Sequence, residues 1–283
     1  MNGAKEYVKA HGLQSRDATD VIEEFSDEIA NMSGVCLDIG CGPAVVTRDL
    51  FLPRLPKDAT IVGADISKTM IQFAQDEHAD EKRLSFINLN IETQNIPQHL
   101  VSAYDNAVSF YCLHWCQDVR QVFDNIYQML RPGGKSLVLF LAHNTGFESY
   151  LKLHKDPKYN PYMKDISKYI PYFQRCANPR ATLKKIIEES GFEVMHCSYR
   201  EKTFIFKSQE ILKKHVQAVN PFTERMPEHV KKEYEEDLLR DIVSRKFSFI
   251  DNNNEGESKD DFQILDRYHV LIAYFKKPTY RIN

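Results

Sequence analysis

Val35-Cys36-Leu37-Asp38-Ile39-Gly40-Cys41-Gly42-Pro43-Ala44 is the stretch on which the fold is decided. A short apolar strand runs into two glycines, and helical spacing resumes behind them. Strand, glycine turn and helix in that order open the ligand site of an α/β sheet, beyond the carboxyl ends of its strands. Gly40 and Gly42 permit a tight turn and a close backbone approach that a Cβ would block. Asp38, two positions before the first glycine, can face an ammonium. Pro43 removes an amide that a pyrophosphate would use. Asp65 ends the next strand, 23 positions after Gly42, where a carboxylate can accept both hydroxyls of a ribose. Position 45 is Val, so the dinucleotide pattern G-x-G-x-x-G is incomplete. From these residues alone a nicotinamide dinucleotide, S-adenosylmethionine and a turn with no ligand all stay open.

Working outward, residues 34 to about 142 alternate short apolar runs with amphipathic stretches, the pattern of a parallel sheet between helices. The strands expected are Val35–Ile39, Thr60–Ala64, Leu84–Asn88, Asn106–Tyr111 and Lys135–Leu141. Val45–Leu52, Lys68–Glu77 and Val119–Leu130 read as helices, the last capped by Asp118 and ended by Pro132-Gly133-Gly134. Residues 143–178 are rich in Tyr, Lys and Pro without long periodicity. Ala181–Ser190 returns as a helix closed by Gly191, and Phe192–Phe206 is strand-like. Residues 207–250 form a helical stretch, Asp251–Asp261 is a polar loop, and Ile264–Phe275 is a long final strand. The expected organisation is an N-terminal helical lid (1–33), a Rossmann-like core (34–142), a substrate cap (143–178 and 207–250), and the remaining core helix and strands (179–206 and 263–276).

Composition narrows the partners. The formal charge of the 283 residues is -3, with 37 Lys and Arg against 40 Asp and Glu. That balance gives no overall drive toward nucleic acid. The polar N-terminus has no apolar signal core, and no run reaches the ~18 apolar residues of a membrane span. A cytosolic chain with reduced thiols is expected. Six cysteines, Cys36, Cys41, Cys112, Cys116, Cys176 and Cys197, lie mostly in strand-like runs and read as small hydrophobes. Cys112 and Cys116 are four apart with no second pair at finger spacing, so no metal is expected.

Taken in order, Leu37-Asp38-Ile39-Gly40-Cys41-Gly42-Pro43, Gly63-Ala64-Asp65-Ile66-Ser67, Asn88-Leu89-Asn90-Ile91 and Leu130-Arg131-Pro132-Gly133-Gly134 resemble the motifs of class I S-adenosylmethionine-dependent methyltransferases. The resemblance implies a seven-stranded Rossmann-like sheet with an antiparallel last strand and helical cap insertions. It also implies Gly40 and Gly42 under the methionyl part, Asp65 on the ribose, Ile66 against the adenine, and Asn90 and Ile91 at the adenine edge. Tyr7, Asp38 and Ser109 join these as candidate cofactor contacts. Two positions depart from the pattern: Ala44 stands for a third glycine, which matters little if it is helical, and Asn90 stands for the commoner Asp.

Methyl transfer from a sulfonium is an in-line displacement that needs alignment and a desolvated nucleophile. A carboxylate acceptor is already ionised at neutral pH, and neutral N–H donors orient it without quenching its attack. Past the fourth strand, Ser109-Phe110-Tyr111-Cys112-Leu113-His114-Trp115-Cys116-Gln117 is rich in such donors. Packing of a helix start against the sheet accounts for Trp115 equally well. His114 reads as a positioning or structural group, since no proton must leave a carboxylate. Phe110–Trp115 and the N-terminal Tyr7 and Gln14 resemble the insect juvenile hormone acid methyltransferases along the whole chain. That family implies a sesquiterpenoid acid, farnesoic acid or juvenile hormone acid, with Gln14 and Trp115 on its carboxylate and Tyr7 and Gln14 in a lid. A lipophilic acid of that length needs an apolar tunnel. Its candidate lining is Tyr150, Leu151, Tyr169, Ile170, Tyr172, Phe173, Phe222 and Phe249, with Tyr150 and Tyr172 carried as substrate contacts.

Other acceptors are weighed beside this one. A short polycarboxylate such as trans-aconitate would call for a basic pocket, and a fatty acid for a longer apolar one. A catalytically inactive S-adenosylmethionine-binding partner protein would keep the glycines and Asp65 but not turn over. A homodimer stays open. Nucleic acid methylation is disfavoured, because the chain has neither an Asn/Asp-Pro-Pro-aromatic tetrad nor a basic stripe.

Overall fold

The computed structural model describes residues 4–249 and 262–279; the polar stretch 251–261, expected as a loop, lies outside them. Alternating side chains build a two-faced sheet. On β1 (Val35–Ile39), Cys36 faces one hydrophobic cluster while Leu37 and Ile39 face another. β2 (Thr60–Asp65), β3 (Leu84–Asn88), β4 (Tyr104–Phe110) and β5 (Leu130–Asn144) pair in parallel in the order β3-β2-β1-β4-β5. Two late strands, β6 (Glu193–Phe206) and β8 (Gln263–Lys276), complete the sheet, with β8 antiparallel between β5 and β6. This is the Rossmann-like methyltransferase sheet. An eighth strand, β7 (Phe247–Phe249), pairs with the start of β8, so the end of the stretch expected to be helical (207–250) is extended instead.

Helices cover both faces. Three lie in the N-terminal segment: α1 (Ala4–Ala10), α2 (Gly12–Glu24) and α3 (Ser26–Ile29). α4 (Lys68–Glu77) and α5 (Val119–Met129) follow β2 and β4, each capped by a side chain: Ser67 accepts from the Met70 amide, and Asp118 from that of Gln121. α6 (Thr145–Leu153), α7 (Pro179–Glu189), α8 (Gln209–Val219) and α9 (Glu228–Ser244) complete the set. One core packs α5 and α7 against the sheet; the other joins α2, α3, α6, α8 and α9.

Three expectations are corrected here. The helix expected over Val45–Leu52 is a widened π turn (Val46–Phe51) followed by a 3-10 turn with Pro53 inside it. The widening accompanies a hydrogen bond from Thr47 Oγ1 to Asp38 Oδ2 (2.5 Å), a placement familiar at functional sites. Ala44 is not helical: it is buried with φ +60°, the left-handed region where a third glycine would rest without strain. Residues 1–33 are not a detachable cover, because Ala18, Ile22, Ile29 and Met32 are fully buried in the main core. Ahead of them, α1 packs on α8 and α4.

Candidate active site

The sheet order reverses at β1, flanked by β2 and β4, and a cavity of about 200 Å3 opens at the carboxyl ends of these strands. This switch point is where open α/β sheets bind ligands. The glycine turn is held against β2, with the Gly40 and Cys41 amides both donating to the Ala64 carbonyl (2.7 and 3.1 Å). Gly40 has φ +73°, and a Cβ there would stand 2.1 Å from Cys112 Sγ. Only glycine meets both conditions.

Two carboxylates define the polar wall. Asp65 accepts from the Gly42 amide at one oxygen (3.0 Å) and the Ser67 amide at the other (2.8 Å). Its orientation is fixed, and each oxygen keeps a lone pair for a hydroxyl. Burial raises its pKa, opposed by those two amides. Asp38 is deeper, and burial pushes its carboxyl up to about 7 against the pull of the Thr47 hydroxyl, with Asp65 adding repulsion. Among the described residues no cation pairs with it, and a cation there would favour its charged form. Across the cavity Ile66 is 67% exposed, an apolar side chain at the mouth, joined by Leu89, Asn90 and Ile91.

A second cavity, of about 110 Å3, lies under the cap. Tyr7, Gln14, Tyr111 and Trp115 line both cavities and form their common wall. Gln14 is 9% exposed, and its Oε1 has no hydrogen-bond partner among the described residues. His114 Nδ1 is likewise buried and unpartnered. Burial lowers the His114 pKa to about 3, so the imidazole is neutral at any physiological pH. Burial also raises the Tyr7 phenol, reinforced by Cys112 and Asp65. Tyr111 leaves β4 at φ +59° and donates to Asp17 Oδ2 (2.5 Å), which also accepts from Tyr268 (2.7 Å). Asp17, fully buried, is balanced by Arg16 and Lys202.

Of the expected cofactor residues, Tyr7, Asp38, Gly40, Asp65, Ile66, Asn90 and Ile91 line the first cavity. Gly42 lies just outside its lining and serves through its amide on Asp65. Ser109 does not reach the cavity: fully buried, it donates to the Ile39 carbonyl (2.8 Å) and ties β4 to β1. Of the expected substrate residues, Gln14, Trp115, His114 and Tyr150 line the second cavity. Tyr172 does not: it is 49% exposed, stacked edge-on against Phe173. Leu151, Tyr169, Ile170, Phe173, Phe222 and Phe249 also lie outside that lining. Sequence reasoning missed Phe147 and Leu141, the α8 residues Leu212, His215 and Val216, and the Lys246–Asp266 pair. It also missed that Cys41, Cys112 and Cys116 line the first cavity.

A methyltransferase domain model matches residues 37–136. The chain is 31% identical to the juvenile hormone acid O-methyltransferase of Drosophila melanogaster, over all of this chain and 95% of the relative. It is 33% identical to that of Bombyx mori, over 98% of each. The chain belongs to the juvenile hormone acid O-methyltransferase family. It is an S-adenosylmethionine-dependent O-methyltransferase. Among solved structures, the YcgJ protein of Bacillus subtilis is similar in fold, with a TM-score of 0.58 at 13% identity over 93% of this chain and 99% of that one. No helix among the described residues is long and apolar enough to cross a membrane.

The residues present suit S-adenosylmethionine. Asp38 is buried with no cation beside it among the described residues, and Asp65 is fixed by two amides with a lone pair left on each oxygen for a hydroxyl.

Proposed function

We propose that this enzyme methylates the carboxylate of a sesquiterpenoid acid, farnesoic acid or juvenile hormone acid, giving the methyl ester. The observation that carries this is the common wall: Gln14 and Trp115 border both cavities, and Gln14 is buried with its Oε1 unpartnered among the described residues. Bound in the first cavity, S-adenosylmethionine supplies an electrophilic methyl on a sulfonium. Asp38 holds the methionyl ammonium, Asp65 the ribose hydroxyls, and Ile66 and Ile91 flank the adenine, with Asn90 at its edge. Gln14, turned to present its amide N–H, and the Trp115 indole N–H orient the acceptor carboxylate. Both are neutral, so the attacking oxygen keeps its charge. His114, neutral by burial, packs on Trp115 with ring centroids 4.8 Å apart and positions it. No general base is required, because the acid arrives ionised.

The second cavity is lined by Leu13, Leu141, Phe147, Tyr150, Leu212, Val216 and Ile242, a surface for a hydrocarbon chain. Its one lysine is already paired with Asp266, which disfavours a short polycarboxylate. α1 closes over both ligands as a lid, and α6, α8 and α9 form the cap. The enzyme's proposed place is the cytosol, where its free cysteines stay reduced.

Radiolabelled methyl transfer into farnesoic acid, juvenile hormone acid, a straight-chain fatty acid and aconitate tests the assignment. Gln14→Ala and Trp115→Phe are expected to lower kcat about tenfold or more, each losing a hydrogen bond to a charged acceptor of about 1.5–3 kcal/mol, while cofactor affinity holds. Wild-type kinetics in both variants would remove the carboxylate clamp.

A further inference from the structure

The wall of the second cavity carries polar groups, besides Gln14 and Trp115, that methyl transfer does not use. Lys246, from the turn after α9, and Asp266, on β8, both line it. The Lys246 side chain is 3% exposed and Asp266 6%, and the two form an ion pair. Asp266 lies two residues from Tyr268, on the same face of β8 and about 7 Å along it. Tyr268 reaches Asp17 and, through it, Tyr111 at the common wall. The pair therefore borders the cavity one strand repeat along β8 from Tyr268.

Its hydrogen bonds are unevenly filled. Asp266 Oδ1 accepts from Lys246, and Oδ2 accepts from Asn144 Nδ2 (3.0 Å). Asn144 Oδ1 is occupied by the Gly146 amide (2.7 Å). Lys246 has three N–H donors and a single acceptor, Asp266, among the described residues. Burial presses its pKa down, and Asp266 holds it up. His215 is next to the pair, with Nδ1 donating to the Ala10 carbonyl (3.0 Å), which leaves Nε2 as an acceptor. A buried ammonium with spare donors on an apolar cavity wall is a costly arrangement unless an oxygen from a ligand completes it.

We propose that Lys246, held in place by Asp266, is a specificity-determining residue that donates a hydrogen bond to an uncharged oxygen carried on the chain of the acid. This rests on the carboxylate-methylating function proposed above. The class of oxygen follows from charge. The pair is neutral overall, so a second carboxylate there would meet Asp266 without compensation, whereas an ether, epoxide or hydroxyl oxygen needs only a donor. A purely hydrocarbon tail leaves that donor unfilled.

The test is internal competition. Farnesoic acid and juvenile hormone acid, which carries an epoxide at the far end, are methylated together by the holoenzyme, and the ester ratio is read. That ratio reports relative kcat/KM whatever the fraction of active protein. The wild type is expected to favour the epoxy acid about tenfold or more, the effect of one hydrogen bond to a charged donor. In Lys246→Met with Asp266→Asn, a neutral pair that keeps the Asn144 contact, the ratio is expected to fall to about one, while Lys246→Arg retains the preference. Should the double variant give no product, Lys246→Gln provides the same comparison, with the preference reduced. An unchanged ratio in the neutral variants, or no preference in the wild type, overturns the role of Lys246 and leaves the proposed function standing. Absence of both esters from the wild type instead refutes the proposed function itself.

Discussion

With Asp38 on the methionyl ammonium, as proposed, cofactor affinity is expected to depend on pH. The Asp38 carboxyl titrates near 7 in the ligand-free protein because it is buried, with only Thr47 to stabilise its charge. Relative to the ordinary value of 3.8, ionising it there costs about 4 kcal/mol. A bound ammonium repays this by holding the group ionised, so binding below pH 7 must expel a proton. Apparent Kd is then expected to rise about tenfold from pH 8 to pH 6, about 1.4 kcal/mol. Isothermal calorimetry of S-adenosylmethionine, in two buffers of different ionisation enthalpy, reads both the Kd and the proton released. Asp38→Asn cannot titrate, so its weaker affinity is expected to lack the step. Titration of the ligand's own amine is common to both proteins and cancels. Stability of the ligand-free protein has its own sign. The folded pKa lies above the unfolded one, so this group's penalty is absent below about pH 4 and complete above about pH 7. The thermal shift on adding cofactor is therefore larger at pH 8 than at pH 6. A wild-type Kd that is flat across pH 6–8, or a step that survives in Asp38→Asn, refutes the assignment.

Other perturbations test the neighbouring groups. Asp65→Ala is expected to weaken cofactor binding by about 1.5–3 kcal/mol, through lost bonds to a charged acceptor; unchanged calorimetric affinity removes Asp65 from the ribose. Gly40→Ala forces a side chain into the left-handed region and onto Cys112, costing about 2–4 kcal/mol in denaturant titration together with cofactor affinity. A change under about 0.5 kcal/mol, the scale of a neutral surface substitution, contradicts the turn geometry. Asp17→Ala removes the acceptor of two tyrosine hydroxyls and the carboxylate partner of Arg16, while Lys202 keeps Asp20. The expected loss is about 3–5 kcal/mol, and a midpoint near that of the wild type would show that the network carries little stability.

The parts visible in the sequence are those governed by local rules. Asp38, the glycines and Asp65 sit at fixed distances along one strand-turn-strand unit, so their spacing alone positions the cofactor cavity. The Asp118 cap followed likewise from its place before an apolar period. The substrate cavity was harder, since its wall is assembled from α2, α6, α8, the turn after α9 and β8, segments that no spacing rule connects. Aromatic residues were expected to line it, but Tyr169 and Phe222 stack on one another, and Phe222 on Tyr150, using their rings within the cap. Leu212, Val216 and Ile242 resemble any helix core position until α8 and α9 are packed. Ser109 shows the converse, a polar residue at a strand end whose hydroxyl is taken by the adjacent strand. The conformation of Ala44 was left open by the sequence because backbone conformation after a glycine turn is set by where β1 ends and the next turn begins, not by helix propensity.

Tyr7, Gln14, Tyr111 and Trp115 belong to both chambers, so the two ligands cannot be thermodynamically independent. Whatever ordering of these four side chains one ligand brings about, the other meets already done. By reciprocity the cofactor changes affinity for the acid by the same factor as the acid changes affinity for the cofactor. A dissociation constant measured with either ligand alone is therefore a property of a half-built wall, and only the ternary constant describes the enzyme at work.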